Sequence, residues 1–156
     1  MKKIYDGVRF REGIKLEMEE DTFIGSNTLI LVPELLMRRG SQINADATLA
    51  GRQRVELGEN VVVGYGALLL TASDTPEGEF MNDASPIEKR KVREGPIIVE
   101  DNAFIGSRAI IMPGVRIGKN SVVGAGSYIS ESVPENTVLK PRQQLEEKYR
   151  PGREPW

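Results

Sequence analysis

No histidine and no cysteine occurs among the 156 residues. That removes a histidine general base, a histidine-ligated zinc, a thiolate metal site, a cysteine nucleophile and any disulfide. Carboxylates remain among the groups able to move a proton, and Lys, Arg and backbone N–H groups among those able to bind an anion. Asp74, just after Ser73, stands where an aliphatic pattern gives way to a charged stretch, and Glu79 follows inside that stretch. An exposed Asp has a pKa of about 3.9 and is a weak base at neutral pH, whereas burial raises it toward a useful range. The same Asp74 also reads as an ordinary turn residue that caps loop backbone. The 23 acidic and 21 basic residues leave a formal net charge of −2, which offers nucleic acid no global attraction.

The elements that position these residues follow from a six-residue period. Val99, Ile105, Ile111, Ile117, Val123 and Ile129 are all β-branched. Four residues after each come Ala103, Ala109, Val115, Ser121, Ser127 and Val133, all small or medium. Leu57, Val63 and Leu69 keep the same phase, with Val61, Ala67 and Ser73 at the fourth step. Met18, Ile24 and Ile30 repeat it in another phase. Six is neither a helical period nor a simple strand alternation. It suits a short strand and a corner wound around a three-sided prism, with turns stacked about 4.8 Å apart. The aliphatic fills the inside of each side, and Gly or Asn takes the positive φ of the bend. One turn cannot cover its own apolar ends, so several must stack. A β-sandwich with chance spacing competes, but the phase holds over two separate stretches.

Three segments depart from the period. Residues 33–42 break it, a two-residue slip near Arg52, Gln53 and Arg54 reads as a corner bulge, and residues 74–96 form a charged insertion. Loops that long in a compact domain are usually functional or disordered. Its segment Ile87, Glu88, Lys89, Arg90, Lys91, Val92 reads most simply as solvated. The repeat stops after Pro134. Residues 141–149 begin with Pro141 at a favourable first helical position and read as a short helix covering the open end of the stack. The expected organisation is therefore one prism domain over residues 1–134 and a capping segment over 135–156. The start of the chain lacks the apolar run of a signal peptide, and no window approaches the roughly 18 apolar residues of a membrane span. A soluble, cytoplasmic protein without membrane insertion is the expectation.

The run Phe104, Ile105, Gly106, Ser107, Arg108, Ala109, Ile110, Ile111, Met112, Pro113, Gly114, Val115, Arg116, Ile117, Gly118 closely resembles the signature of the hexapeptide-repeat acyltransferases. So does Val123, Gly124, Ala125, Gly126, Ser127, Tyr128, Ile129, followed by Val133 and Pro134. The match is nearest to the maltose, galactoside and xenobiotic O-acetyltransferase branch. Ser73, Asp74, Gly78, Glu79, Pro86 and Gly95 resemble the loop of acetyltransferase-like proteins from surface-polysaccharide clusters. The resemblance implies an all-β fold: a single-stranded left-handed parallel β-helix with a protruding loop and a short C-terminal helix. The left hand comes from the resemblance alone, since parallel crossovers are generally right-handed.

By the same resemblance the protein is a homotrimer with its active sites between prisms. It transfers an acyl group, acetyl by expectation, from acyl-CoA to the hydroxyl of a sugar or saccharide, without a metal. The family's usual histidine falls near Thr71, Ala72, Ser73 and Asp74, where this chain has none; some loop-related members carry one where Asn102 stands. Asp74 is then the first replacement for the base and Glu79 the second. The family motif carries oxyanion or pantetheine contacts over to the backbone N–H groups of Gly106 and Ser107, with Ala125 a further cofactor candidate; Arg108, Lys140 and Arg142 are candidates for the CoA phosphates by their chemistry, and each also reads as a surface charge. Residues 87–92 have a second reading as a basic contact to those phosphates. The missing histidine also motivates an alternative: a non-catalytic trimeric scaffold or ligand-binding protein of the same descent. A carbonic anhydrase of this architecture needs three histidines and is discarded, and a nucleotidyltransferase needs a further domain for which these residues leave no room.

Overall fold

The computed structural model describes residues 1–141. Three parallel sheets run side by side along a solenoid. The first side stacks seven strands, Lys3–Ile4, Phe23–Ile24, Gln42–Ile43, Val62–Val63, Phe104–Ile105, Val122–Val123 and Val138–Leu139. The second stacks six, Arg9–Phe10, Leu29–Leu31, Thr48–Ala50, Leu68–Leu70, Ile110–Ile111 and Tyr128–Ile129. The third stacks five, Lys15–Met18, Glu34–Met37, Val55–Leu57, Ile97–Val99 and Arg116–Ile117. The chain visits the sides in that order, so each circuit adds one turn. The fold is an all-β parallel solenoid of about seven turns. The short C-terminal helix expected over 141–149 lies outside the described residues except for Pro141, and of the capping segment expected over 135–156 only residues 135–141 are described.

The periodic aliphatics fill the interior. Ile24, Ile30, Leu57, Val63, Leu69, Ile105, Ile111, Ile117 and Val123 are wholly buried. Ala103, Ala109 and Val115 lie inside at the corners, where six-residue turns leave little room. Where a hydroxyl takes such a place it bonds locally: Thr28 Oγ1 donates to Gly25 O at 2.8 Å and Ser41 Oγ to Arg38 O at 2.7 Å. Among the described residues no buried side-chain polar atom lacks a partner, as a dry interior demands.

All variation in turn length falls at one corner. Six residues separate Ile24 from Ile30, Val63 from Leu69 and Ile105 from Ile111 across the first-to-second corner, and six separate Met37 from Ile43, Leu57 from Val63 and Val99 from Ile105 across the third-to-first. Across the second-to-third corner the inward residues are Ile30 and Met37, Leu49 and Leu57, Leu69 and Val99, Ile111 and Ile117, and Ile129 and Val133. Each break in the period is therefore an event at that corner. Residues 33–42 are not a loop: Glu34–Met37 is a strand of the third side with Leu35 and Met37 buried, and the phase shifts by one residue at the bends of Val32 and Pro33. The slip near Arg52 is a set of bends at the same corner. The stack also runs past Pro134. The last crossing is cut short, and Val138–Leu139 still pairs with Val122–Val123.

The corners carry the backbone cost. At the first-to-second corner Gly7, Asn27, Asp46, Gly66, Arg108 and Gly126 have positive φ; at the third-to-first corner Asp21, Gly40, Asn60, Asn102, Asn120 and Asn136 do. Asn102 is thus a corner residue, and its Nδ2 donates to Asn120 Oδ1 at 2.9 Å one turn on. Among the described residues Arg108, at φ 56°, is the single side chain in these two columns other than Gly, Asn or Asp. Asn and Asp tolerate this region and an Arg does not. Arg108→Gly is expected to raise unfolding stability by up to about 1 kcal/mol, relief of strain being partly offset by the entropy of glycine. A urea midpoint below that of the wild type would contradict it.

Candidate active site

After Thr71 the chain leaves the solenoid. Thr71 is buried, its amide donates to Ala50 O at 2.8 Å, and Gly95 N donates back to Thr71 O at 3.1 Å. Between these anchors Ala72–Asp74 pairs antiparallel with Val92–Glu94 as a two-stranded arm. Ser73, a fourth-step residue of the period, lies in that arm opposite Arg93 and is only half-buried. The period counts residues, but the chain turns outward two residues before its fourth step. Asp74 therefore belongs to the arm and not to a solenoid corner. Arg93 fixes the arm to the next two turns, donating from Nε to Pro113 O at 3.1 Å and from Nη2 to Ser130 O at 2.7 Å.

Asp74 meets Arg90 in a two-pronged ion pair, Nε to Oδ1 at 2.8 Å and Nη2 to Oδ2 at 2.6 Å. Arg90 Nη2 also donates to Asp83 Oδ1 at 2.7 Å. The Arg90 side chain is 5% exposed, so residues 87–92 are not uniformly solvated. Sequence reasoning missed this pair, because nothing local connects residues sixteen apart in the chain. The guanidinium holds the Asp74 carboxyl below the usual carboxylate range. That is opposite to the rise that burial alone would produce, and it makes Asp74 a weak proton acceptor within one chain. Glu79 lies further out, its Oε1 at 3.4 Å from Lys89 Nζ.

The lowered pKa fixes a pH response. The folded value lies below the unfolded one of about 3.9, so the pair's contribution is complete above about pH 5 and is lost as pH falls through the lowered value. The difference in urea midpoint between wild type and Asp74→Asn is expected to stay constant from about pH 5 to 8 and to shrink below about pH 4. A difference that grows on acidification would reverse the sign.

The predicted CoA contacts gather elsewhere, at the first-to-second corner. Gly106, Ser107, Arg108 and Ala109 form a turn closed by Ala109 N donating to Gly106 O at 3.2 Å. Ala125 takes the place of Ser107 one turn later, and Lys140, exposed, follows Gly106 and Gly124 along the edge of the first side. Arg142 lies outside the described residues. The Gly106 N–H is already committed to Val123 O at 2.7 Å, so it is not a free donor. Among the described residues the amides of Ser107 and Ala125 donate to no protein acceptor. One corner thus presents backbone donors a turn apart, with the arginine and lysine beside them.

The outer surfaces differ. Phe23, Val62, Phe104, Val122 and Val138 point outward from the first side, and Leu29, Leu68, Ile110 and Tyr128 from the second. The third side carries ion pairs across its turns, Lys15 with Glu34 at 2.8 Å, Arg38 with Glu19 at 2.7 Å and Arg116 with Glu100. A shallow groove of about 300 Å³ on that side, lined by Leu36, Arg38, Glu56, Ile98, Glu100 and Lys119, holds none of the predicted site residues. Among the described residues no group of three or more carboxylates is placed to hold a metal, and no helix is long and apolar enough to cross a membrane.

A parallel solenoid of six-residue units with a charged arm at one corner defines a hexapeptide-repeat protein. Residues 96–131 match the family described as the hexapeptide repeat of succinyl-transferase. The chain is 31% identical over 99 residues to galactoside O-acetyltransferase of Lactococcus lactis, covering 64% of this chain and 45% of that protein. It is 36% identical over 82 residues to 2,3,4,5-tetrahydropyridine-2,6-dicarboxylate N-acetyltransferase of Staphylococcus aureus, covering 53% of this chain and 28% of the relative. A variant of AntD, an N-acyltransferase from Bacillus cereus in complex with dTDP-4-amino-4,6-dideoxyglucose and coenzyme A, shares the fold with a TM-score of 0.63 at 23% identity, covering 95% of this chain and 84% of that one. These matches make the chain similar to hexapeptide-repeat acyltransferases over its repeat region. It spans less than half the length of these two curated relatives.

Proposed function

We propose that this chain is an acyl-CoA-dependent acyltransferase, acetyl by first choice, that acylates a hydroxyl of a sugar or saccharide. The observation that carries the reading is the first-to-second corner, where two unpartnered amides lie one turn apart beside Arg108 and Lys140. Amide donors suit a thioester oxygen and the pantetheine carbonyls, and the cations suit CoA phosphates. The named activities of the relatives support the class, and the sugar nucleotide in the AntD complex supports a saccharide acceptor.

In the reaction the acceptor oxygen attacks the thioester carbon. The carbonyl oxygen takes up negative charge, stabilised by the Ser107 amide. Collapse expels the CoA thiolate, and the proton lost by the acceptor ends on that sulfur. Of the two candidate carboxylates, Glu79 is the one with an open face; Asp74 serves by holding Arg90. Activity that survives Glu79→Gln would remove that assignment.

The amides and the carboxylates lie at different corners of one solenoid, with the second side between them. A neighbouring copy closes the gap if its second-to-third corner meets this first-to-second corner. The apolar outer columns on both flanks of the latter corner suit such contacts. A left-handed winding and a homotrimer with shared sites complete the reading, with a cytoplasmic location. Release of CoA thiol on incubation with acetyl-CoA and amino- or hydroxyl-sugars tests the activity, and sedimentation tests the assembly. The missing histidine and the locked Asp74 favour one other reading, a trimeric ligand-binding scaffold. A trimer that binds CoA without releasing thiol from acetyl-CoA with any acceptor would support that reading over the first.

A further inference from the structure

We propose that Arg90 is a positioning residue, a latch that gives the loop of residues 75–91 its one shape and thereby sets the acceptor side of the site. The acceptor part rests on the acyltransferase reading above; the latch does not. None of the residues from 72 to 96 is buried, so the loop has no apolar core of its own. Segments without such a core open easily unless polar contacts hold them. The loop's own contacts are a few main-chain bonds and one side-chain bond at its ends: Thr75 N donating to Lys91 O at 2.8 Å and Thr75 Oγ1 to the same oxygen at 3.1 Å, Gly78 N to Thr75 O at 3.2 Å, Phe80 N to Lys89 O at 3.1 Å, Ser85 N to Asn82 O at 3.1 Å, and a 3₁₀ turn at Ile87–Lys89.

Arg90 is different in kind. Its nearly buried guanidinium ties three parts of the chain together: the arm through Asp74, the outer turn through Asp83, and its own segment at the end of the 3₁₀ turn. Asp83 in turn lies 3.9 Å from Arg52 Nη2, on the turn that precedes the arm. A bidentate guanidinium–carboxylate pair fixes direction as well as distance, and a lysine ammonium does not. Held this way, the loop presents Phe80, Met81 and Ile87 exposed at its outer end, an apolar surface that no apolar side chain of the described residues covers. Apolar side chains gain nothing from solvent, so a fixed loop that displays them is built to cover something.

The test uses the full chain with Arg90→Lys and Arg90→Gln, and Lys91→Gln as a control for charge. Hydrogen exchange of residues 75–91 is expected to quicken about tenfold or more in both Arg90 variants, with the solenoid strands unchanged. The KM for the acceptor is expected to rise about tenfold while the KM for acetyl-CoA stays within about twofold. Exchange at wild-type rates in both variants overturns the latch. Equal changes in both KM values, or changes matched by Lys91→Gln, overturn the acceptor role. Wild-type protein that releases no thiol from acetyl-CoA overturns the acyltransferase reading and the acceptor role with it, while exchange still decides the latch.

Discussion

Ser107→Pro is expected to fold and to lose acyl transfer by about 10²–10³-fold in kcat, the usual cost of removing one oxyanion donor. The substitution replaces the amide hydrogen by a ring carbon and removes the hydroxyl with it. Ser107 is the second residue of a four-residue turn whose third, Arg108, has φ 56°, and proline is favoured at that second position. The same column already holds a proline: Pro141 lies over Gly124 as Ser107 lies over Gly64. Ser107→Ala keeps the amide and is expected to keep activity within about threefold. Thermal unfolding of both variants within a few degrees of wild type shows that the loss is chemical. Full activity in a folded Ser107→Pro protein would exclude this amide as the donor.

Gly106→Ala is expected to destabilise the solenoid by about 3 kcal/mol or more, although the residue lies at the edge of the sheet and its φ is ordinary for an L residue. An added Cβ would lie 2.7 Å from both Ala125 Cα and Gly124 C. These are backbone atoms of the next turn and cannot rotate aside, so the turns must separate and the ladder bond from Gly106 N to Val123 O must stretch. Gly126→Ala is the contrast. It meets nothing within 4 Å, and its cost is the left-handed φ of 71°, about 1–2 kcal/mol. Urea unfolding of the two variants separates close approach from backbone strain, and a Gly106→Ala midpoint near wild type would show that the turns are less tightly stacked than their backbones indicate. Gly106 thus earns its place by allowing its neighbours to approach, while the free donor is the residue after it.

The interior of this protein was legible from the amino-acid order. One aliphatic per six residues states which side chains point inward, and residues from Val99 to Ile129 fall on that count because three equal sides and two tight corners repeat unchanged. The same regularity marked the turn residues: Asn, Asp and Gly recur where φ is positive, so Asn102 is explained by its column. The resemblance of residues 96–131 to a known repeat rests on the same periodicity. Local sequence sufficed wherever a residue's environment was made by residues six and eighteen away.

Tertiary structure decided the rest. The breaks at Pro33, Arg52 and Asp74 look unrelated along the chain, yet they stack at one corner, because the other two corners are closed turns that admit no extra residue. That the chain departs after Thr71, leaving Ser73 and Asp74 in an arm, depends on the antiparallel pairing with Val92–Glu94, which no local count reveals. The state of Asp74 depends on Arg90, brought to it by the return of a loop. That the free amides of Ser107 and Ala125 stand one turn apart, with Lys140 beside them, depends on the stacking of successive turns. Period and composition are one-dimensional and determine what is inside; ion pairs, unpartnered amides and the separation of two corners arise only when distant segments meet, and these set the chemistry.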